Sequence, residues 1–404
     1  MSSRVPGGVR ALAVVSFFND FASEMVYPLL PAFISRLGGG AIALGVLDGA
    51  ADLTSALVKW WSGRISDRPG WRGPLIFGGY LVAVVIRPVI SISAAAWQVI
   101  GLRVTDRIGK GLRTPPRDAL IADITPPGAR GSAFGFHRAA DHLGAVVGAL
   151  AAWLLLSGGM TVPAVIRWSV VPGLVALAVL AVLLRRSHAS RERSRESGTP
   201  GPARSTVAVD ATGRVYWAPV IALAALTLAR VPEALLLLRL QDLGVAVATI
   251  PLLWGALHVV RSAASYPGGR LADRYGSRRL VAGGAVLAAA VMAGLALASS
   301  PAAGATVFLV FGLVAGLTES AERSLVAALS PRRTGRGFGG YHALTGLAAL
   351  PAAVGFGIVY ERIGGAAALG ISAVALVVAI VGWMAVTSRE SGDLSGGAAS
   401  PRSH

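Results

Sequence analysis

Along this chain of 404 residues, apolar stretches rich in Leu, Ala, Val and Gly recur without the strict alternation of surface strands. Each runs to about twenty residues, the length a helix needs to cross a hydrocarbon core of about 30 Å. Backbone polar groups have no water partner in lipid, so these stretches must pair internally as helices. Twelve spans are predicted, at 9–35, 42–63, 73–94, 97–122, 132–156, 162–185, 216–240, 248–268, 278–299, 304–329, 337–360 and 365–387. Between the sixth and seventh, RRSHASRERSRESGTPGPARSTVAVDATGR breaks the apolar pattern and reads as a flexible linker. The expected organisation is a six-helix bundle over 1–185, a linker over 186–215, a second six-helix bundle over 216–388 and a disordered tail over 389–404. The fold class is all-α, polytopic and membrane-embedded, in two pseudo-symmetric halves.

Hydrophobic residues make up 54% of the chain and charged residues 14%, which sets it apart from soluble enzymes of this length. A formal charge of +17 raises the question of nucleic acid. Its placement answers differently. Alternating spans put Arg4, Arg10, Arg64, Arg68, Arg72 and Arg130 on one side, together with the linker and the basic residues between 270 and 279 and between 332 and 336. Only Arg36, Arg239 and Arg362 fall on the other side. By the positive-inside rule the arginine-rich side is cytoplasmic, and both termini with it. The partners expected are the lipid bilayer, a small-molecule substrate and protons, with no nucleic acid, and a monomer is expected. No cleavable signal is expected, because the first apolar run is span-length and carries Asp20 and Glu24. The chain has no cysteine, which excludes disulfides and thiolate metal sites, and no metal or cofactor is expected.

The string GRISDRPGWR from Gly63 returns as GRLADRYGSRR from Gly269, with Asp67 and Asp273 206 residues apart, about half the chain. RGSAFGFHRA from Arg130 is echoed by RGFGGYHAL from Arg336, aligning His137 with His342 after a one-residue slip. Internal repeats of this kind are an architecture of secondary transporters. In the repeated turn, glycine permits a tight bend and close helix approach, and aspartate can accept from free N–H groups at a neighbouring helix N-terminus.

These residues resemble the major facilitator superfamily, whose signature between the second and third spans is G-x-x-x-D-R-x-G-R-R. The first copy supplies Gly63, Asp67, Arg68, Gly70 and Arg72, with Trp71 in place of one basic residue; the second supplies Gly269, Asp273, Arg274, Gly276, Arg278 and Arg279. The resemblance implies a gating latch that links the halves in an outward-facing state, with Asp123 paired to Arg68 or Arg72. Arg107 and Gly111, flanking Lys110, are similar to R-x-x-Q-G, associated in the family with proton-coupled exchange. Gly144 and Gly148 resemble the start of an exporter element, G-x-x-x-G-P, with Ala149 where proline is expected.

Charged residues recur every three or four positions along the fourth span, at Arg103, Asp106, Arg107, Lys110, Arg113 and Arg117, and so form one stripe. A charge at the bilayer centre costs about 2.5 to 3.5 kcal/mol on insertion scales, so the stripe must face a wet cavity or opposite charges. Two readings follow. Asp106, Arg113, Arg117 and Asp118 suit an inter-helix ion-pair network. Asp20, Glu24, Arg107 and Asp141 suit proton coupling, since a buried carboxyl can exchange a cationic neighbour for a proton. Asp48, Asp52, Arg103, Lys110, His137, Arg138, Arg230, Glu233 and His258 are expected to line the substrate cavity, with Glu319, Glu322 and Arg323 completing its wall. His258 and His342 read equally as packing residues. Pro28, Pro31, Pro88 and Pro232 are expected to kink their helices.

No phosphate loop appears, because Gly109-Lys110-Gly111 lacks the required frame, so energy must come from an ion or substrate gradient. Nor is there a nucleophile triad or zinc motif, and no enzyme is expected. The function expected is proton-coupled export by alternating access. The alternatives are import or exchange of an anionic metabolite, suggested by the basic fourth span, and a non-transporting membrane sensor.

Overall fold

The computed structural model describes residues 5–39, 41–196, 213–245, 250–330 and 333–396, and among them every regular element is helical. The first half comprises α1 (Gly7–Val26), α2 (Leu30–Arg36), α3 (Ala41–Ser66), α4 (Arg72–Ile90), α5 (Ala96–Asp123), α6 (Arg130–Ser157), α7 (Val162–Trp168) and α8 (Val170–Glu196). The second comprises α9 (Arg214–Leu228), α10 (Glu233–Asp242), α11 (Ile250–Tyr275), α12 (Ser277–Leu297), α13 (Pro301–Leu329), α14 (Thr334–Ile363) and α15 (Gly365–Gly396).

Three pairs are single crossings with a break: α1 and α2 at a 3-10 turn holding Pro28, α7 and α8 at Ser169, and α9 and α10 before Pro232. The order is thus twelve stretches. Seven helical segments, at α4, α6, α7 with α8, and α12 to α15, are long and apolar enough to cross a membrane. The stretches outside that set carry charge at depth, with Asp20 and Glu24 on α1, Asp52 and Lys59 on α3, the stripe on α5 and Arg261 on α11. Charge also lies inside the set, at Arg87 on α4, Arg138 and Asp141 on α6 and Glu319 and Arg323 on α13.

Some boundaries differ from expectation. α11 continues to Tyr275 rather than ending at 268, so Gly269, Asp273 and Arg274 belong to a helix end and only Gly276, at φ 88°, makes the turn. Packing supports the extension: a Cβ at Gly268 would sit 2.5 Å from the Gly316 carbonyl oxygen, and one at Gly269 would collide with that of Gly131. Close approach on both faces offsets the poor helix propensity of this glycine pair. The first copy is divided likewise, with Gly63 in α3 and Gly70, at φ 83°, in the turn. α8 reaches Glu196, past the expected linker start, and α15 reaches Gly396, past the expected tail start. Residues 197–212 and 397–404 lie outside the described residues.

The halves meet chiefly along two helix pairs, α6 with α11 and α3 with α14, with α13 against α6 and α14 against α5 beside them. The internal repeat exchanges one pair for the other. Gly131 and Gly335 each stand second in their helix, Gly135 abuts the backbone of Ser265 and Gly269, and Gly339 abuts that of Lys59 and Gly63. Phe134 and Phe338 pack with ring centroids 5.8 Å apart. This register corrects the sequence alignment. It pairs His137 with Tyr341 and Arg138 with His342, because the glycines that must meet the partner helix fix the alignment and the histidines do not.

Within the first half, Gly144 and Gly148 let α6 press on α1, where added side chains would strike the Phe17 and Phe21 carbonyl oxygens. The exporter-like glycines therefore set the position of the helix that bears Asp20 and Glu24.

A valine at Gly269 would overpack the α6–α11 contact, at a cost of about 1 to 3 kcal/mol. A single cysteine at Ser262, whose hydroxyl donates to the Ala139 carbonyl at 2.8 Å across the seam, reports it cleanly because the chain has no native cysteine. Maleimide labelling of that cysteine is expected to speed up by roughly tenfold in Gly269→Val. An unchanged rate would contradict the closeness of this contact.

Candidate functional site

A cavity of about 330 Å³ lies within the first half. Its α1 and α3 wall presents Asp20, Glu24 and Asp52, with Ser23, Tyr27 and Ala51 between them. Its α4 and α5 wall presents Arg87, Arg103, Arg107, Lys110 and Arg113. The α5 members recur at three- and four-residue intervals, so one helix face supplies them all.

Behind the basic wall, Asp106 is 1% exposed and gathers three guanidinium groups. Its carboxylate lies 3.0 Å from Arg87 Nε, 3.2 Å from Arg103 Nη1 and 3.1 Å from Arg107 Nη2. Arg87 Nη1 also donates to Asn19 O at 2.9 Å, and Asn19 Nδ2 donates to Asp20 Oδ1 at 2.8 Å. A chain of hydrogen bonds therefore runs from α5 through α4 to α1. Arg113 donates to the Gly79 carbonyl at 3.0 Å and lies over the Tyr80 ring. Among the described residues, no ion pair within 4 Å joins Asp20, Glu24 or Asp52 to the basic wall.

A second polar cluster occupies the seam between halves. Asp118, 1% exposed, meets Arg117 at 3.2 Å, Arg323 at 3.4 Å and His342 Nε2 at 2.9 Å, joining α5 to α13 and α14. Arg138 bridges Asp141 at 2.7 Å and Glu319 on α13. His137 Nδ1 lies 3.5 Å from Asp141. Tyr341 donates to Glu322 at 2.6 Å.

Of the residues expected at the site, Asp20, Glu24, Asp52, Arg103, Arg107 and Lys110 come together in the cavity. His137, Arg138 and Asp141 do not line the cavity: Arg138 reaches Glu319 on α13 across the seam, and Asp141 and His137 pair beside it on α6. Arg230, Glu233 and His258 do not line the cavity. Glu233 pairs with Arg261 at 2.6 Å, His258 packs against His142 and Trp254, and Arg230 stands at the break before α10. The side chain of Asp48 lies outside the described residues. Arg87 was missed. Its signal was available: apart from Arg72 at the helix start, it is the one charge in α4, and a lone intramembrane charge marks a functional position.

The gating residues form two matching contacts at one end of the molecule. Asp67 accepts from the backbone N–H groups of Gly335 and Arg336, both at 2.8 Å, at the start of α14. Asp273 accepts from those of Gly131 and Ser132, both at 2.7 Å, at the start of α6. Each carboxylate therefore occupies the electropositive N-terminus of a helix in the other half. Burial raises the Asp67 carboxyl above the usual aspartate value, opposed by the amides of Arg336 and Gly335 and by Arg72. Of the two arginines expected to meet Asp123, Arg72 does so, and it also reaches Thr334 at 3.3 Å. Arg68 is exposed, Arg274 lies over the Tyr275 ring, and Arg278 opens α12 and accepts from Trp383 Nε1 through its carbonyl.

Two helical bundles closed on each other at one end, with a charged cavity at membrane depth, define a polytopic membrane transporter. The family model of the major facilitator superfamily matches residues 12–238 and 220–403, and the chain belongs to that superfamily. An uncharacterised MFS-type transporter of Methanocaldococcus jannaschii is 26% identical over 365 residues, 87% of this chain and 88% of that protein. The multidrug resistance protein MdtH of Edwardsiella ictaluri is 31% identical over 146 residues, 36% of this chain and 35% of that protein. Among solved structures, the human organic anion transporter TETRAN superposes with a TM-score of 0.76 at 15% identity, covering 94% of this chain and all of that one, a likeness of fold.

Asp106→Asn leaves three guanidinium groups without their shared counter-charge, and breaking a buried pair costs about 3 to 5 kcal/mol. Thermal unfolding of the purified protein, followed by circular dichroism, is expected to begin at a distinctly lower temperature in this variant. Asp52→Asn is expected to leave the transition in place. Equal melting temperatures for the two variants would contradict the role given to Asp106.

Proposed function

We propose that this chain is a proton-coupled secondary transporter that exports a small organic solute by alternating access, with the first-half cavity as its solute site. The single observation that supports this most is the state of Asp20 and Glu24. Both face the cavity, one helical turn apart, and neither is joined to the basic wall by an ion pair among the described residues. A carboxylate left at membrane depth without a cation is stabilised by taking a proton, and proton uptake there changes the charge of the cavity that holds the solute. Arg107 acts beside them by adjusting that charge, and Asp141 links the change to the seam through Arg138. The signature turns act as the cytoplasmic latch, so the arrangement with both latches made is outward-facing. The protein works as a monomer in the cell membrane, with both termini cytoplasmic.

Export is the direction that the partial likeness to a multidrug resistance protein supports. A second reading, uptake or exchange of an anionic metabolite, is favoured by the five basic side chains that outnumber the three carboxylates of the lining.

The test is flux in proteoliposomes under an imposed pH gradient, using solutes first identified by thermal-shift screening. Asp20→Asn and Glu24→Gln are each expected to lower gradient-driven flux by about a hundredfold, the scale of removing a positioned proton carrier, while counterflow without a gradient persists. Gradient-driven flux at the unmodified rate in both variants would refute the coupling assignment.

A further inference from the structure

The cavity holds opposite charges apart. Asp20, Glu24 and Asp52 stand on the α1 and α3 wall, and Arg103, Arg107 and Lys110 on the wall facing them, yet none of the carboxylates closes on a cation within 4 Å among the described residues. Opposite charges in a low-dielectric interior attract strongly, so a fold that separates them leaves a favourable interaction unmade. On the basic side, Asp106 is shared among three arginines and cannot neutralise them all. Arg103 and Arg107 are more than nine-tenths buried, and the Nε of each finds no acceptor.

From this separation we infer that the solute is a small zwitterion, with a compact oxyanion such as a carboxylate, sulfonate or phosphonate at one end and a protonated amine at the other. This rests on the cavity being the solute site. The oxyanion is held by Arg103, Arg107 and Lys110, since guanidinium groups present paired donors that match it. The ammonium is held by Glu24, Asp20 and Asp52. Tyr27 lies where the walls approach, with the Arg103 guanidinium 4.9 Å from its ring centroid. A simple anion would leave the ionised carboxylates facing a further negative charge unless protons neutralised them, and a simple cation would face the arginines; each mismatch strands a desolvated charge. A molecule carrying both charges satisfies both walls with the carboxylates ionised. A proton and the amine of the solute also compete for the same carboxylates, which is the relation an exchanger requires.

Isothermal titration calorimetry at neutral pH tests this with 4-(aminomethyl)benzenesulfonate and its two halves, benzenesulfonate and benzylamine. The zwitterion is expected to bind roughly tenfold or more tightly than either half, the worth of one charge-assisted pairing. Glu24→Gln is expected to reduce the zwitterion to the affinity of benzenesulfonate while benzenesulfonate still binds, which also shows that the variant is folded. Lys110→Gln is expected to weaken benzenesulfonate and spare benzylamine. Benzenesulfonate or benzylamine binding as tightly as the zwitterion would overturn the zwitterion and leave the cavity as a site for a single charge. No binding by any of the three would overturn the cavity itself as the solute site.

Discussion

The architecture depends on two carboxylates, each seated on the N-terminus of a helix in the opposite half. Asp67 on α14 and Asp273 on α6 satisfy backbone N–H groups that no residue within those helices can reach. The bonds are short because glycine lines both approaches: Gly63 against Gly335 and Gly339, and Gly269 against Gly131. Charge and close packing therefore act at the same place. A side chain at these glycines would separate the helices and lengthen the bonds, and a neutral residue at either aspartate would leave the glycine contacts without their electrostatic partner. Such contacts release as a unit, which suits a two-state closure.

The symmetry of this closure contrasts with the chemistry beneath it. The cavity belongs to the first half alone, where α5 contributes most of its positive charge. The second half enters through the seam, where Glu319, Arg323 and His342 meet Arg138 and Asp118. These pairs join helices of different halves, so any rocking of one bundle against the other must exchange them. Arg138 is shared between Asp141 and Glu319, one within its own half and one across the seam. That sharing gives a physical route by which a charge change near the cavity can alter how strongly the halves hold together.

Much of this was legible in the sequence because it follows from period and sign. Apolar length predicted the helical class and the seven most apolar spans, the repeated G-x-x-x-D-R strings predicted the paired turns, and the three- and four-residue spacing on α5 predicted one charged face. The prediction that Asp67 and Asp273 would accept from helix N-termini needed only the turn chemistry and the repeat. What could not be read were relations between helices. The register of α6 against α14 is fixed by Gly131 and Gly335 meeting partner backbones, whereas the sequence match aligned histidines. Arg87 was legible as a lone charge in α4, but its pairing with Asp106 on α5 was not. Arg230, Glu233 and His258 were expected at the cavity but lie elsewhere in the second half, since a repeat keeps backbone geometry without keeping which side chains share a cavity.

The most direct test of the central claim is a pair of inter-spin distances, measured on the cysteine-free chain by pulsed electron resonance. One pair of labels, at Arg68 and Ser277, spans the end closed by the aspartates, and the other, at Ala94 and Ser299, spans the opposite end. Replacing both Asp67 and Asp273 with asparagine is predicted to lengthen the first distance and shorten the second in the same sample. Distances that stay unchanged at both ends, or a change at one end alone, would contradict a closure held by these two contacts.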